Sequence, residues 1–375
     1  MTPFLLSPSG KDYIWGGERL KSDYGKALEL SPLAETWECS VHPDGPSFVA
    51  SGAFAGRTLA EVLAENPAWL GTSFSALGGL HILVKLIDAK RDLSVQVHPD
   101  DDFAFREEGG QQGKTEMWYV LDAEPGACLV FGLDRSTSAE TLRAGLAEGT
   151  FESLLKRFPV RRGDVFYIPS GTIHAIGSGI VLAEVQQNSN LTYRLYDYGR
   201  VGKDGRPREL HVDKALAVAD LSGARPQRQP LRALRYRPGF AEEELCACPY
   251  FQVWLCRVDA GEDSFGDPGS TVGAGSSSEL VSSSGGAGSS LPSDILLPML
   301  PESYRVLLCT EGEGVLREGG DGAEDGDVAA DGAGDGTSSG GAADLRFRKG
   351  DTIFIPATCG PLRLSGRAAF LLIRG

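Results

Sequence analysis

Apolar residues in this chain fall into short runs closed by turn-forming residues, and in several of them polar side chains occupy every second position. Residues 92–102 (DLSVQVHPDDD) place Ser94, Gln96 and His98 on one strand face and Val95 and Val97 on the other. Residues 113–127 (GKTEMWYVLDAEPGA) bring Lys114 and Glu116 onto one face ahead of the apolar Trp118-Tyr119-Val120-Leu121 run. Residues 179–200 (GIVLAEVQQNSNLTYRLYDYGR) alternate with Glu184, Gln186 and Asn188 together, and beyond an Asn-rich turn Thr192, Arg194 and Tyr196 are predicted to share a face. Further strand-like segments lie at 251–261, 303–317 and 345–360. Helical spacing is confined to a few places, notably 58–70 and 138–158, the second interrupted at Gly149 and stopped by Pro159.

One pattern occurs twice. RGDVFYIPSGTIH (162–174) and KGDTIFIPATCGP (349–361) align at a constant offset, so that Gly163-Asp164 and Ile168-Pro169 return as Gly350-Asp351 and Ile355-Pro356. Each copy is a Gly-Asp turn, an apolar run with strand character and a terminating proline. His174 falls opposite Pro361. The chain therefore reads as two similar halves, and a metal-binding histidine at this point exists only in the first. A β sandwich or jelly roll is expected in each half, with small helical additions on the first.

Length and composition agree with that division: 375 residues suit two domains, and 49 Gly with 21 Pro suit a turn-rich β architecture. The amino terminus lacks the pattern of a signal peptide and no run approaches a bilayer span, so a cytoplasmic protein is expected. Seven scattered cysteines form no disulfide framework. The formal charge of −15 is concentrated in residues 262–292 and 318–344, which carry twelve acids and no Lys or Arg. Without them, thirty-nine acids face thirty-six Lys plus Arg. Both Gly/Ser/Asp-rich stretches are predicted to be disordered connections between strands. Gly319-Gly320-Asp321-Gly322 is like the start of a calcium-binding β-roll repeat, but no tandem copy follows. No basic, aromatic-interleaved stripe suggests a nucleic-acid partner.

Five histidines are present, and two of them have companions. His98, Glu116 and His174 with Gln96, drawn from separate strands of one small barrel, form a nitrogen and oxygen ligand set without thiolate, suited to zinc, iron or manganese. Arg194, arriving on a neighbouring strand, supplies a planar positive fork for a phosphate or a developing oxyanion. His42, His81 and His211 have no companion donor nearby in sequence and are read as structural.

SVQVHPDD, GKTE followed by Trp and Tyr, GD-FYIPSGTIHAIG and SNLTYRLYDYGR, in that order and together with YIWGG (13–17) and ETWECSVHPDG (35–45), resemble the class I, zinc-dependent mannose-6-phosphate isomerases in their shorter bacterial form. The likeness covers most of residues 1–220. It implies an all-β bicupin, two jelly-roll β-barrels, with a small helical insertion in the catalytic half. Residues 1–225 would form the metal-binding domain and 226–375 a metal-free second cupin carrying both acidic inserts. It further implies one Zn2+ held by Gln96, His98, Glu116 and His174, an active-site Arg194 and an active-site Lys114. Ser94 and Lys85 are expected sugar or phosphate contacts. The implied reaction interconverts mannose 6-phosphate and fructose 6-phosphate by metal-assisted proton transfer through an enediolate, with Lys114 as the proton-transferring base and Glu184 or a metal-bound water as alternatives.

Two other readings share the barrel. His98, Asp100 and His174 fit a non-haem iron, 2-oxoacid-dependent oxygenase, although Asp100 follows Pro99 and is expected in a turn. A non-catalytic sugar-binding cupin is the third, and it gives no role to Lys114 beside Glu116.

Overall fold

The computed structural model describes residues 2–73, 79–202, 205–224, 233–260, 294–319 and 344–375. The acidic stretches at 262–292 and 320–343, the calcium-like Asp321 and Gly322, and the expected boundary at 225/226 lie outside the described residues. The described chain is mostly β, in three open sheets.

A six-stranded sheet runs in the order Val165–Ile168, Glu116–Ala123, Ile180–Gln187, Ile82–Ala89, Glu35–Cys39, Ser9–Lys11. A five-stranded sheet runs Tyr193–Tyr196, Val95–Val97, His174–Ile176, Cys128–Leu133, Leu155–Pro159. Trp118, Val120, Ile87 and Leu182 of the first pack against Leu129, Phe131 and Ile176 of the second. The opposite face of the six-stranded sheet, with Met117, Tyr119, Val181 and Val185, is buried against Phe251, Val306, Phe354 and Leu371 of the second half. Burial on both faces explains why residues 117–121 read as a continuous apolar run.

The third sheet has ten strands, with Leu362–Arg374 paired to both Gln252–Ala260 and Arg305–Glu318 at its centre. The amino-terminal strand Phe4–Ser7 joins it beside Thr352–Ile355. Two contacts from the first half also reach this sheet. The buried Glu38 carboxylate takes hydrogen bonds from Lys26 (2.7 Å) and Thr352 (2.8 Å), and Lys26 bonds the Gly350 carbonyl.

The repeated motif is a repeat of structure down to its hydrogen bonds. Gly163 and Gly350 have φ of 87° and 93°, a region that side chains disfavour. Asp164 and Asp351 each accept the backbone N–H three residues earlier, from Arg161 and Arg348, at 2.9 Å. The following strands pair Ile168 with Glu116 in one half and Ile355 with Arg305 in the other. Thus Arg305, 5% exposed, stands where the first half has Glu116. Its Nη1 donates to the Pro298 carbonyl at 2.9 Å. Pro298 follows the Leu297–Leu362 pair and so approaches Pro361, as Gln96 pairs with His174. The positions answering to Gln96, Glu116 and His174 are therefore Pro298, Arg305 and Pro361, none of which can ligate a metal.

Helices form at both expected places, with two differences, and Arg19–Ser22 and Val212–Val218 are helical as well. Leu59–Glu65 opens with a Thr58–Glu61 capping box and ends before Pro67. Ala139–Glu148 ends at Gly149, which has φ of 72°. Residues 155–158, expected to continue that helix, form instead the strand Leu155–Pro159, because its backbone completes the ladder beside Cys128–Leu133 and Phe158 packs on Phe131. Asp101–Glu107, beginning at the expected turn, is a helix capped by Asp100, whose side chain accepts the Phe103 N–H at 2.8 Å. Among the described residues no helix is long and apolar enough to cross a membrane.

Arg305–Glu318 and Leu345–Arg348 are direct antiparallel neighbours, with Leu316 opposite Leu345. Replacing residues 319–343 by a short Gly-containing turn is therefore expected to leave kcat unchanged and to shift stability by about 1 kcal/mol, since loop-closure entropy varies slowly with length. Isomerisation assays and thermal melts check it. A calcium-dependent rise in Tm present only in the full chain would show an ion site in the deleted segment.

Candidate metal centre and active site

The space between the six- and five-stranded sheets is apolar except at one end, where alternate strand positions bring polar side chains together. His98 follows Val95–Val97, Glu116 begins Glu116–Ala123, and His174 begins His174–Ile176. Antiparallel pairing places His174 opposite Gln96, and their side-chain nitrogens are 3.4 Å apart. His98 Nε2 is 3.2 Å from Glu116 Oε1 and His174 Nε2 is 3.7 Å from Glu116 Oε2. One ligand atom from each of these three residues lies within 4.8 Å of the other two, and all three side chains are buried.

The electrostatics favour a cation. Both Glu116 oxygens and both His98 ring nitrogens are buried without a hydrogen bond of ordinary geometry, although Lys114 and His98 stand within ion-pair distance of the carboxylate. Orphaned buried polar atoms are costly unless something binds them. Burial and then the positive Lys114 depress the His98 imidazole to about 3, and burial likewise lowers His174. Both rings are therefore neutral, as ligands must be. His174 Nδ1 lies 2.8 Å from the Thr172 carbonyl, a partner that requires the proton on Nδ1 and leaves Nε2 with its lone pair. Burial would raise the Glu116 carboxyl, but the neighbouring Lys114 ammonium foremost outweighs it, and the carboxyl is held well below the ordinary range. The residues present fit a divalent metal with nitrogen and oxygen ligands.

These depressed groups set a pH dependence. An unfolded chain would protonate His98 near 6.5, whereas the folded site resists until about 3. Stability from His98 is thus complete above the unfolded value and declines as pH falls through this window; Glu116 acts in the same direction. Chelator-treated protein is expected to lose Tm progressively from about pH 7 to about pH 4. A flat Tm across that range would show that these groups are not buried in the uncharged and charged forms described.

Around the cluster stand the other expected residues. Lys114 Nζ is 2.9 Å from Glu116 Oε1 and buried. Arg194, opposite Gln96 in the ladder, donates from Nε to Ser94 Oγ at 3.2 Å and from Nη1 to the Glu209 carbonyl at 2.9 Å. Lys85 is held by Glu184 (2.9 Å) with Glu35 at 3.8 Å. Burial disfavours its charge, but these two carboxylates together raise its pKa. Tyr196 does not share Arg194's face. A bulge between them resets the alternation, so Tyr196 packs on Phe151 in the helical layer.

Several contacts escaped sequence reasoning. Glu184 accepts Trp118 Nε1 at 2.8 Å and Glu35 accepts Trp37 Nε1 at 2.8 Å, which fixes both carboxylates beside Lys85. Asp197 is gripped by Arg200 and by Arg208 (2.8 and 2.6 Å), giving Arg194 a basic neighbourhood. His211 accepts the Arg194 backbone N–H at Nδ1 (3.2 Å), a companion that sequence distance concealed. The run of Arg and Asp in YDYGR and GRPREL was the available signal. His42 is structural as expected, capping Asp44 N–H and packing on Trp37.

Comparison with known proteins accords with this site. Residues 4–121 match the family model for the phosphomannose isomerase type I catalytic domain. The mannose-6-phosphate isomerase of Streptococcus mutans is 40% identical over 256 residues, 68% of this chain and 79% of that protein. ManA of Bacillus subtilis, also a mannose-6-phosphate isomerase, is 40% identical over 67% of this chain and 78% of its own length. The crystal structure of the mannose 6-phosphate isomerase from Bacillus subtilis superposes with a TM-score of 0.79 at 29% identity, covering 100% of this chain and 99% of that one. Identity over most of the relatives' length and agreement of fold across both halves lead to one assignment: the chain belongs to the type I phosphomannose isomerase family.

Proposed function

We propose that the chain interconverts mannose 6-phosphate and fructose 6-phosphate, as a cytoplasmic enzyme acting on a small sugar phosphate, with one Zn2+ held by Gln96, His98, Glu116 and His174. The observation that carries this reading is the buried His98, Glu116 and His174 cluster with Lys114 at 2.9 Å from the shared carboxylate. A divalent metal, when bound, supplies Lewis-acid charge for the negative charge that develops as the carbonyl moves between C1 and C2. Lys114 is the residue placed to carry the proton between those carbons at Nζ. Arg194, fixed by Ser94 Oγ and the Glu209 carbonyl, offers its remaining N–H groups to an oxyanion or phosphate without reorganisation. Lys85 and Ser94 are assigned to sugar or phosphate contacts, and the Tyr13 hydroxyl, which burial and then Glu35 push up to about 12, stays neutral.

The architecture proposed is a bicupin divided near 225/226, with the strand Phe4–Ser7 lent to the second barrel's sheet. Asp100 spends its carboxylate on capping a helix, which speaks against the two-His-one-carboxylate oxygenase. Anaerobic turnover of mannose 6-phosphate together with elemental analysis tests the proposal. Oxygen-independent isomerisation with bound zinc is expected; oxygen-dependent turnover with iron, or binding without turnover, would overturn it.

A further inference from the structure

Among the described residues the second half shows no cluster of candidate ligands, yet one of its side chains reaches the helix that follows the candidate ligand His98. Tyr250, at the turn between Phe240–Ala247 and Gln252–Ala260, donates its hydroxyl to Asp101 Oδ2 at 2.7 Å. The turn is closed by Cys248, whose N–H bonds the Phe251 carbonyl at 3.0 Å and whose Sγ lies 3.5 Å from the same oxygen. Asp101 belongs to the first turn of the helix that follows His98-Pro99-Asp100.

The other oxygen of Asp101 accepts two hydrogen bonds. Gly113 N–H lies 2.8 Å away and Gln187 Nε2 2.9 Å away. Gln187 in turn accepts Thr115 N–H at its side-chain oxygen (2.9 Å) and donates its own N–H to the Thr115 carbonyl (3.1 Å). Lys114 N–H bonds the Pro99 carbonyl at 3.0 Å. Residues 113, 114 and 115 are thus each pinned by the backbone or by the Asp101–Gln187 pair, and Lys114 and Glu116 project from the pinned segment. No slack exists at Gly113, where an added Cβ would come within 2.5 Å of the Asp100 carbonyl carbon. A carboxylate holding three donors is geometrically demanding, and the donor from Tyr250 is the one that fixes its rotation from outside the first half.

We infer that Tyr250 and Asp101 are positioning residues through which the metal-free half sets the placement of Lys114 and Glu116 for proton transfer. This rests on the isomerase reading above. It requires no movement and no ligand in the second half, only that the Asp101 carboxylate keep the rotation in which one oxygen faces Gly113 and Gln187. Small displacements of a proton-transferring group cost rate more than substrate binding.

The test uses the full chain with Tyr250→Phe, Asp101→Ala and the double variant. Tyr250→Phe removes one hydroxyl and keeps the packed ring. It is expected to lower kcat for mannose 6-phosphate about five-fold, leaving KM and bound metal per chain unchanged. Amide hydrogen exchange over residues 113–116 should accelerate in the same variant while exchange over 303–310 in the second half stays as in wild type. The double variant should be no slower than Asp101→Ala alone, because both act through one carboxylate. Wild-type kcat and wild-type exchange at 113–116 in Tyr250→Phe would overturn the inference. So would effects that add in the double variant, or a fall in kcat matched by equal losses of Tm and metal, which would mark the contact as mere adhesion between halves. Absence of isomerisation in the wild-type chain would instead count against the isomerase reading, and the exchange measurement would still decide the positioning.

Discussion

Protein carrying His174→Ala is expected to emerge from dialysis without bound metal and with isomerase activity reduced by at least about a thousand-fold, the equivalent of several kcal/mol of lost charge stabilisation. The ring sits at the meeting point of two ladders, paired with Gln96 and with Phe131, so the variant loses a ligand without losing the strands that frame it. Glu116→Gln should give the same loss by a different route. An amide keeps the shape but surrenders the charge that opposes Lys114 and the metal, and breaking a buried pair in this way costs about 3 kcal/mol. The fold should survive both changes, because the apolar clusters on either side of the six-stranded sheet are untouched. Metal per chain, activity and Tm, measured together on both variants, check the expectation. Stoichiometric metal in both would remove these residues from the ligand set.

Arg194→Lys separates charge from geometry. The guanidinium reaches Ser94 Oγ and the Glu209 carbonyl at once and still has N–H groups to spare, whereas an ammonium is a single point that cannot span those anchors. Metal content should be unchanged, since Arg194 offers no lone pair, and kcat should fall by about a hundred-fold, the scale seen when one preorganised oxyanion donor is lost. Steady-state kinetics on the metal-replete variant provide the measurement. A kcat equal to wild type would make Arg194 a rim residue without part in turnover.

The candidate ligands were legible because strand alternation turns a chemical requirement into a visible pattern. Gln96 and His98 between valines, and Glu116 ahead of a wholly apolar run, would each suit a solvent-facing strand position, and it is their combination with His174 that points to a ligand set. The Gly-Asp motif was legible for the same reason, since a turn that needs a positive φ and an acceptor advertises both. What was hidden depended on pairing across long separations. Nothing near Tyr250 indicates that its hydroxyl meets Asp101, 149 residues away. The bulge beyond Arg194 was equally invisible, because one extra residue in a ladder leaves no mark on composition yet sends Tyr196 to another layer. Residues 155–158 misled in the opposite sense: LKRF carries good helix formers, and the open edge beside Cys128–Leu133 overrode them.

Arg305, in the place of Glu116, gives the second half a different relation to its surroundings. A guanidinium is a cation that cannot dissociate or be chelated, and it is synthesised with the chain. Loss of a metal would therefore take charge from the first half's cluster and leave Arg305 in place. Because the six-stranded sheet is packed against the second half through Phe251, Phe354 and Leu371, its scaffold would be held from that side whether or not a metal is bound.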